Sequence, residues 1–231
     1  MELKTPGIRK TSVIIAAIIF ILSASAFCRN AAWLNETSLW SGVSSLSPNR
    51  PRPHYILGNA YDDASVTPRP TPLPGTHSES GSGAPKGGLG GISAIDEAIK
   101  EYKEAIRLRP SYKEAVYNLG TVYDRQGDID SAIKEYKKAA EIDPSFYLAL
   151  NNLGYAYSKK GLFKEAIAEY KKALRFFPQD PDVRYNLAMA YAATGLKEKA
   201  REEFLLVLSV KPDDPDTMRE LARIAGENTG K

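Results

Sequence analysis

The chain is short of the residues on which metal and covalent chemistry are usually built. Of 231 residues, only Cys28 is a cysteine and only His54 and His77 are histidines. A single thiol excludes an intrachain disulfide and a thiolate metal cluster, and it leaves the redox compartment unreadable. No Cys, Asp or Glu stands at metal-ligand spacing from either histidine, and no nucleophile is paired with a base, so no metal, cofactor or catalytic residue is expected and the chain reads as a non-enzyme. An excess of one charge sign is also missing. Residues 94–231 carry 23 Lys/Arg against 23 Asp/Glu, and residues 1–93 carry 8 against 5. With both signs interspersed, nucleic acid is not an expected partner. The Gly cluster near Lys86 follows no strand and lacks the Lys-Ser/Thr ending of a phosphate loop.

Long apolar runs are scarce too, and the one that exists is at the start. MELKTPGIRK places Lys4, Arg9 and Lys10 before TSVIIAAIIFILSASAFC, which holds no charge. A helix over 11–28 would reach roughly 27 Å, just short of the ~30 Å hydrocarbon core. It reads as a transmembrane anchor or as a secretory signal cleaved after Ala24-Ser25-Ala26. Lipoprotein processing at Cys28 is disfavoured by the bulk of Phe27. Basic residues before the run outnumber Arg29 after it, which puts 1–10 in the cytoplasm. The expected location is therefore a bacterial inner membrane, single-pass, with the remainder periplasmic.

What the chain does have is a period. Pro110, Pro144, Pro178 and Pro212 are 34 residues apart. At the same interval recur Leu119-Gly120, Leu153-Gly154 and Leu187-Ala188; Tyr123, Tyr157 and Tyr191; Ala132, Ala166 and Ala200; and Tyr136, Tyr170 and Phe204. Each type has a job in a helix–turn–helix unit. Small residues allow close approach of two helices, aromatics fill the space between repeats, Gly127, Gly161 and Gly195 take a positive backbone angle after the first helix, and the prolines stop the second. One such unit cannot bury its apolar face alone, so units must stack. This spacing and pattern resemble the tetratricopeptide repeat family. The resemblance implies an all-α solenoid, a right-handed superhelix of helix-turn-helix repeats, and the apolar run adds one N-terminal transmembrane helix before it.

The first repeat is split. HYILGNAY, residues 54–61, matches a first helix through Leu57, Gly58 and Tyr61, whereas its second helix, Ile95 to Pro110, carries Ala98, Tyr102 and Ala105. Gly58 to Ala98 spans 40 positions where Gly120 to Ala132 spans 12. The surplus is rich in Pro, Gly, Ser and Thr, cannot offset its ordering entropy, and is expected to be a disordered loop. Its length costs little, because loop closure grows logarithmically. The expected organisation is 1–10 cytoplasmic, 11–28 anchor or signal, 29–49 a linking half-repeat helix closed by Pro48, and 50–110 a split repeat with an insert at about 65–93. Full repeats follow at 113–146, 147–180 and 181–212, and a capping helix at 215–227. Asp213, Asp214 and Asp216 read as helix-start caps.

In tetratricopeptide arrays first helices line a concave groove, and the resemblance places there Tyr117, Thr121, Asp124 and Arg125; Asn151, Tyr155, Ser158 and Lys159; and Tyr185, Met189 and Ala192. Tyr, Asn and Met suit an extended peptide or a partner helix. Asn118, Asn152 and Asn186 recur just before Leu and read as architecture, holding neighbouring backbone. Modules of this family that clamp the acidic carboxyl terminus of heat-shock chaperones need cations where Tyr117, Asn151 and Asp182 stand, so that partner is not expected. The stretch from Arg29 to Tyr61 also resembles the junction between the last span and the repeat tail of polytopic O-mannosyltransferase-like membrane proteins, through Trp33, Leu39-Trp40, Pro48 and Arg52-Pro53-His54. The expected function is a membrane-anchored scaffold that holds a protein or peptide partner in its groove. The alternatives are a detached non-catalytic tail of a glycosyltransferase-like protein, and a cleaved soluble periplasmic adaptor.

Overall fold

The computed structural model describes residues 36–66 and 91–228, which form ten helices and no strand. In chain order these are α1 (Glu36–Leu46), α2 (Pro51–Val66), α3 (Gly91–Leu108), α4 (Lys113–Gln126) and α5 (Ile129–Ile142), then α6 (Tyr147–Lys159), α7 (Phe163–Phe176), α8 (Pro181–Ala193), α9 (Lys197–Val210) and α10 (Pro215–Asn228). Each packs on its neighbours in sequence, most closely as the pairs α2–α3, α4–α5, α6–α7 and α8–α9. The predicted anchor at 11–28, Trp33, and residues 67–90 of the insert lie outside the described residues. No described helix is long and apolar enough to cross a membrane.

The second helices show how the pattern becomes packing. In α5 the buried residues are Ala132, Ile133, Tyr136 and Ala139, a helical stripe, while Lys134, Lys137 and Glu141 face outward. The Asp128 carboxylate accepts from the Ser131 N–H at 3.1 Å and caps the start of this helix. Asp214 does the same for α10, accepting from the Thr217 N–H at 2.9 Å, as the acidic cluster predicts. Gly127, Gly161 and Gly195 have φ of 82°, 74° and 77°, where a side chain would strain the turn.

One fully buried ring per second helix wedges each pair: Tyr102, Tyr136, Tyr170 and Phe204. Each is worth roughly 1.5–3 kcal/mol of burial. The partner position must be small. A Cβ built on Gly154 would stand 2.7 Å from the Tyr170 ring, and one on Gly58 would stand 2.7 Å from Tyr102. The split repeat therefore closes with the same wedge as the continuous ones. Its second helix is described from Gly91, and the buried stripe already includes Ala94, one turn before Ala98.

A polar clasp also spans the split. His54, in α2, is buried; its Nε2 donates to the Pro48 carbonyl at 3.1 Å and its Nδ1 lies 2.6 Å from the Glu101 carboxylate of α3. Ser44 Oγ of α1, buried as well, is 3.1 Å from the same Nδ1. Three segments of chain, one of them beyond the insert, thus meet at one imidazole.

Candidate partner groove

First helices α2, α4, α6 and α8 stand side by side, and their inner faces are joined by polar rungs. Asn118 donates to the Asn59 carbonyl oxygen at 2.9 Å, Asn152 to the Tyr117 hydroxyl at 3.0 Å, and Asn186 to the Asn151 carbonyl oxygen at 3.2 Å. The recurring asparagines are architectural, but they hold side chains of the preceding repeat rather than neighbouring backbone. Asn59, which also accepts from the Tyr102 hydroxyl at 2.8 Å, has no counterpart in the repeat pattern and went unread in the sequence.

Most residues predicted for the groove are engaged with the array itself. Thr121 Oγ1 is 3.4 Å from the Tyr136 hydroxyl, and Ser158 Oγ is 3.4 Å from that of Tyr170. Burial pushes both phenols up to about 12, so they stay neutral donors. Arg125 pairs with Asp62, and Lys159 with Asp124 at 2.9 Å, so the charged positions link one first helix to the next. Tyr117 lies 5.8 Å from the Tyr136 ring and 5.2 Å from Phe146, and burial raises its hydroxyl. Tyr185 meets Phe204 edge-on at 5.6 Å. On the second helices, Lys103, Lys137 and Lys171 sit over the rings of Tyr123, Tyr157 and Tyr191 at 5.8, 5.4 and 5.6 Å.

What stays open on this face lies on α6 and α8. Tyr155 is 45% exposed, with Lys159 Nζ 4.8 Å above its ring, and Met189 is 36% exposed. Leu148, not singled out in the sequence, is 38% exposed at the start of α6. Ala192 is half-buried beside them. Next to them a cleft of about 260 Å³ is lined by Asp182, Tyr185, Asn186, Val207, Lys211 and Asp214 among others. Lys211 Nζ reaches Asp182 at 2.8 Å across its mouth.

The His54 cluster has the residue types of an acid–base–nucleophile relay, which the sequence reading found absent. Its geometry differs from a relay. Ser44 Oγ stands 3.1 Å from Nδ1, the nitrogen that Glu101 also holds, and 3.4 Å from Nε2, whose closer partner is the Pro48 carbonyl at 3.1 Å, so the shorter serine contact falls on the carboxylate's side of the ring. Among the described residues no group of three or more His, Cys, Asp or Glu could hold a metal ion.

A curved stack of helix pairs presenting one face of first helices defines the class of helical-repeat interaction proteins. Three family profiles narrow it: tetratricopeptide repeat models match residues 120–181 and 157–223, and a TPR repeat model matches 93–127. The repeat region belongs to the tetratricopeptide repeat family. These matches lie past the junction at 29–61, whose second resemblance they leave without support. No curated protein sequence matches the chain. Among solved structures, YrrB, described as a TPR protein with an unusual peptide-binding site, superimposes with a TM-score of 0.61 at 18% identity over 87% of this chain and 86% of its own. MamA gives 0.58 at 21% identity over 80% and 87%. The first TPR of Spaghetti (RPAP3), bound to the HSP90 peptide SRMEEVD, gives 0.50 at 23% over 51% and 94%. At these identities the likeness is one of fold.

Proposed function

We propose that the chain is a non-catalytic scaffold that takes a peptide or a partner helix against α6 and α8, and that residues 11–28 anchor it to a bacterial inner membrane with the array on the periplasmic side. One observation carries the binding reading. Along the inner face, charges on α2, α4 and the end of α6 are consumed by pairing, whereas Leu148, Tyr155 and Met189 present exposed apolar surface. Aromatic and thioether side chains in a concave wall are suited to an apolar anchor on an extended or helical ligand. YrrB and Spaghetti, which share the fold, carry peptide sites. The absence of cations at Tyr117, Asn151 and Asp182 argues against an acidic carboxyl-terminal peptide of the Spaghetti kind. Anchoring rests on the basic-then-apolar amino terminus.

The test is site-specific crosslinking and pull-down from membranes with wild type against Tyr155→Ala/Met189→Ala. The expected result is selective loss of one partner or a small set. Equal recovery of every partner sinks the groove reading. Tyr117 is unsuitable for this purpose, since its truncation would open the packing against Tyr136 and Phe146. Extraction of the chain by alkaline carbonate, together with a mature mass lacking 1–26, would replace the anchor by the cleaved signal.

A further inference from the structure

Among the described residues, the α1 end of the stack combines exposed apolar surface with arginines that carry no ion pair. Leu46 is 85% exposed at the end of α1, far beyond any other described large apolar residue. Half-buried Trp40, Val43 and Ile56, with Pro53, line a cleft of about 540 Å³ whose rim carries Arg50 and Arg52. From Thr37 to Tyr61 there is no Asp or Glu, and both arginines are exposed without an ion pair among the described residues. Elsewhere on the molecule the exposed cations are largely paired or laid over rings. The one acid of α1, Glu36, sits at the opposite end from Leu46, about 15 Å along the axis.

We propose that this end of the array, Trp40, Val43 and Leu46 with Arg50 and Arg52, lies against an anionic phospholipid surface. A tryptophan and aliphatic residues flanked by arginines match the bilayer interface, where amphipathic rings settle at headgroup level and basic side chains meet phosphate. Two facts of the chain select a bilayer over another occupant. Charge complementarity is one, since the cleft is lined by Trp40, Val43, Pro53 and Ile56 with Arg50 and Arg52, and no acid is among its described lining residues. Reach is the other: the uncharged run closes at Cys28, and eight Cα steps to Glu36 span at most about 28 Å. The inference rests on the reading of 11–28 as a membrane segment. Given that segment, α1 cannot leave the vicinity of the bilayer. The array would then be held end-on by a lipid contact as well as by its tether, which fixes the direction in which α6 and α8 open.

The test uses the full chain carrying Trp33→Phe, which leaves Trp40 as the sole tryptophan. It is reconstituted into vesicles of phosphatidylcholine, with or without phosphatidylglycerol, each prepared with and without brominated acyl chains. The expected result is quenching of Trp40 by the bromines, about twofold or more stronger with phosphatidylglycerol and falling with added salt. Arg50→Gln/Arg52→Gln in the same background should reduce it to the phosphatidylcholine level. Flotation and quenching separate the outcomes. A chain that fails to float overturns the membrane reading and this inference together. A chain that floats with Trp40 unquenched overturns this inference alone, and cross-linked dimers in that case assign the face to a second copy. Quenching that is indifferent to lipid charge removes the role given to the two arginines and overturns the anionic-surface proposal.

Discussion

The two halves of the inner wall are built on one backbone pattern and end up chemically opposite. Toward α2 and α4, each acid meets a cation of the next repeat, Asp62 with Arg125 and Asp124 with Lys159, and the Asn59–Asn118 and Tyr117–Asn152 rungs close what remains. Toward α8 the ladder stops, because Ser158 and Ala193 occupy the places where the next acid and cation would stand. Tyr155 and Met189 are left facing solvent. The difference teaches that a repeat can hold its fold with the buried wedge and the Asn151–Asn186 rung, without the charge ladder, and use its inner face either to tie repeats together or to meet a partner.

Breaking the wedge should affect both halves equally and most severely. Tyr136→Ala and Tyr170→Ala are each expected to cost about 3–5 kcal/mol in urea unfolding. A loss confined to one half would mean the halves are not mechanically alike. Next in size is binding: Tyr155→Ala/Met189→Ala should weaken partner capture about tenfold or more, with stability changed by no more than about 1 kcal/mol. Asp124→Asn should leave capture intact. Equal effects of the two variants on capture would erase the contrast between the two halves.

Smaller effects sharpen it. His54→Ala should cost about 1–3 kcal/mol by leaving Glu101 and Ser44 without their shared partner, and limited proteolysis should then reach α1 first. The Asp124–Lys159 pair, partly exposed, should be worth about 0.2–1 kcal/mol in a double-mutant cycle, shrinking in salt. Least of all is a pH effect. Asp143, held by Lys113 at 2.5 Å and by Ser145, has its carboxyl lowered to about 2. Its folded value lies below the unfolded one near 3.9, so its contribution is full above about pH 4 and disappears as pH falls toward 2. Unfolding midpoints of Asp143→Asn should lack that acid limb.

The repeat was legible because packing imposes it: a ring at Tyr136 demands a small residue at 120, and ring and small partner recur with the period, as Ala188 and Phe204 where the other repeats have Gly and Tyr. Even the split repeat could be placed by arithmetic, since Gly58 and Tyr102 keep their relation across the surplus. The inner face was less legible. The family register picks out positions that face inward, but whether Thr121 or Lys159 is free depends on a neighbour one repeat away, and Lys159 meets Asp124 at a spacing of 35, not 34. Asn59 and Leu148 follow no period and could not be singled out. The His54–Glu101 contact joins residues 47 apart, across the insert, where no local rule reaches.

The manner in which α2 finds α3 has an engineering consequence. The pair is registered by Gly58 under Tyr102 and by His54 against Glu101, not by a tight turn, so the contour length between Val66 and Gly91 is close to a free parameter. Doubling it would cost only about 0.6 kcal/mol. A reporter or enzyme whose termini lie close together could be spliced there as cargo, with the Gly58–Tyr102 and His54–Glu101 contacts kept.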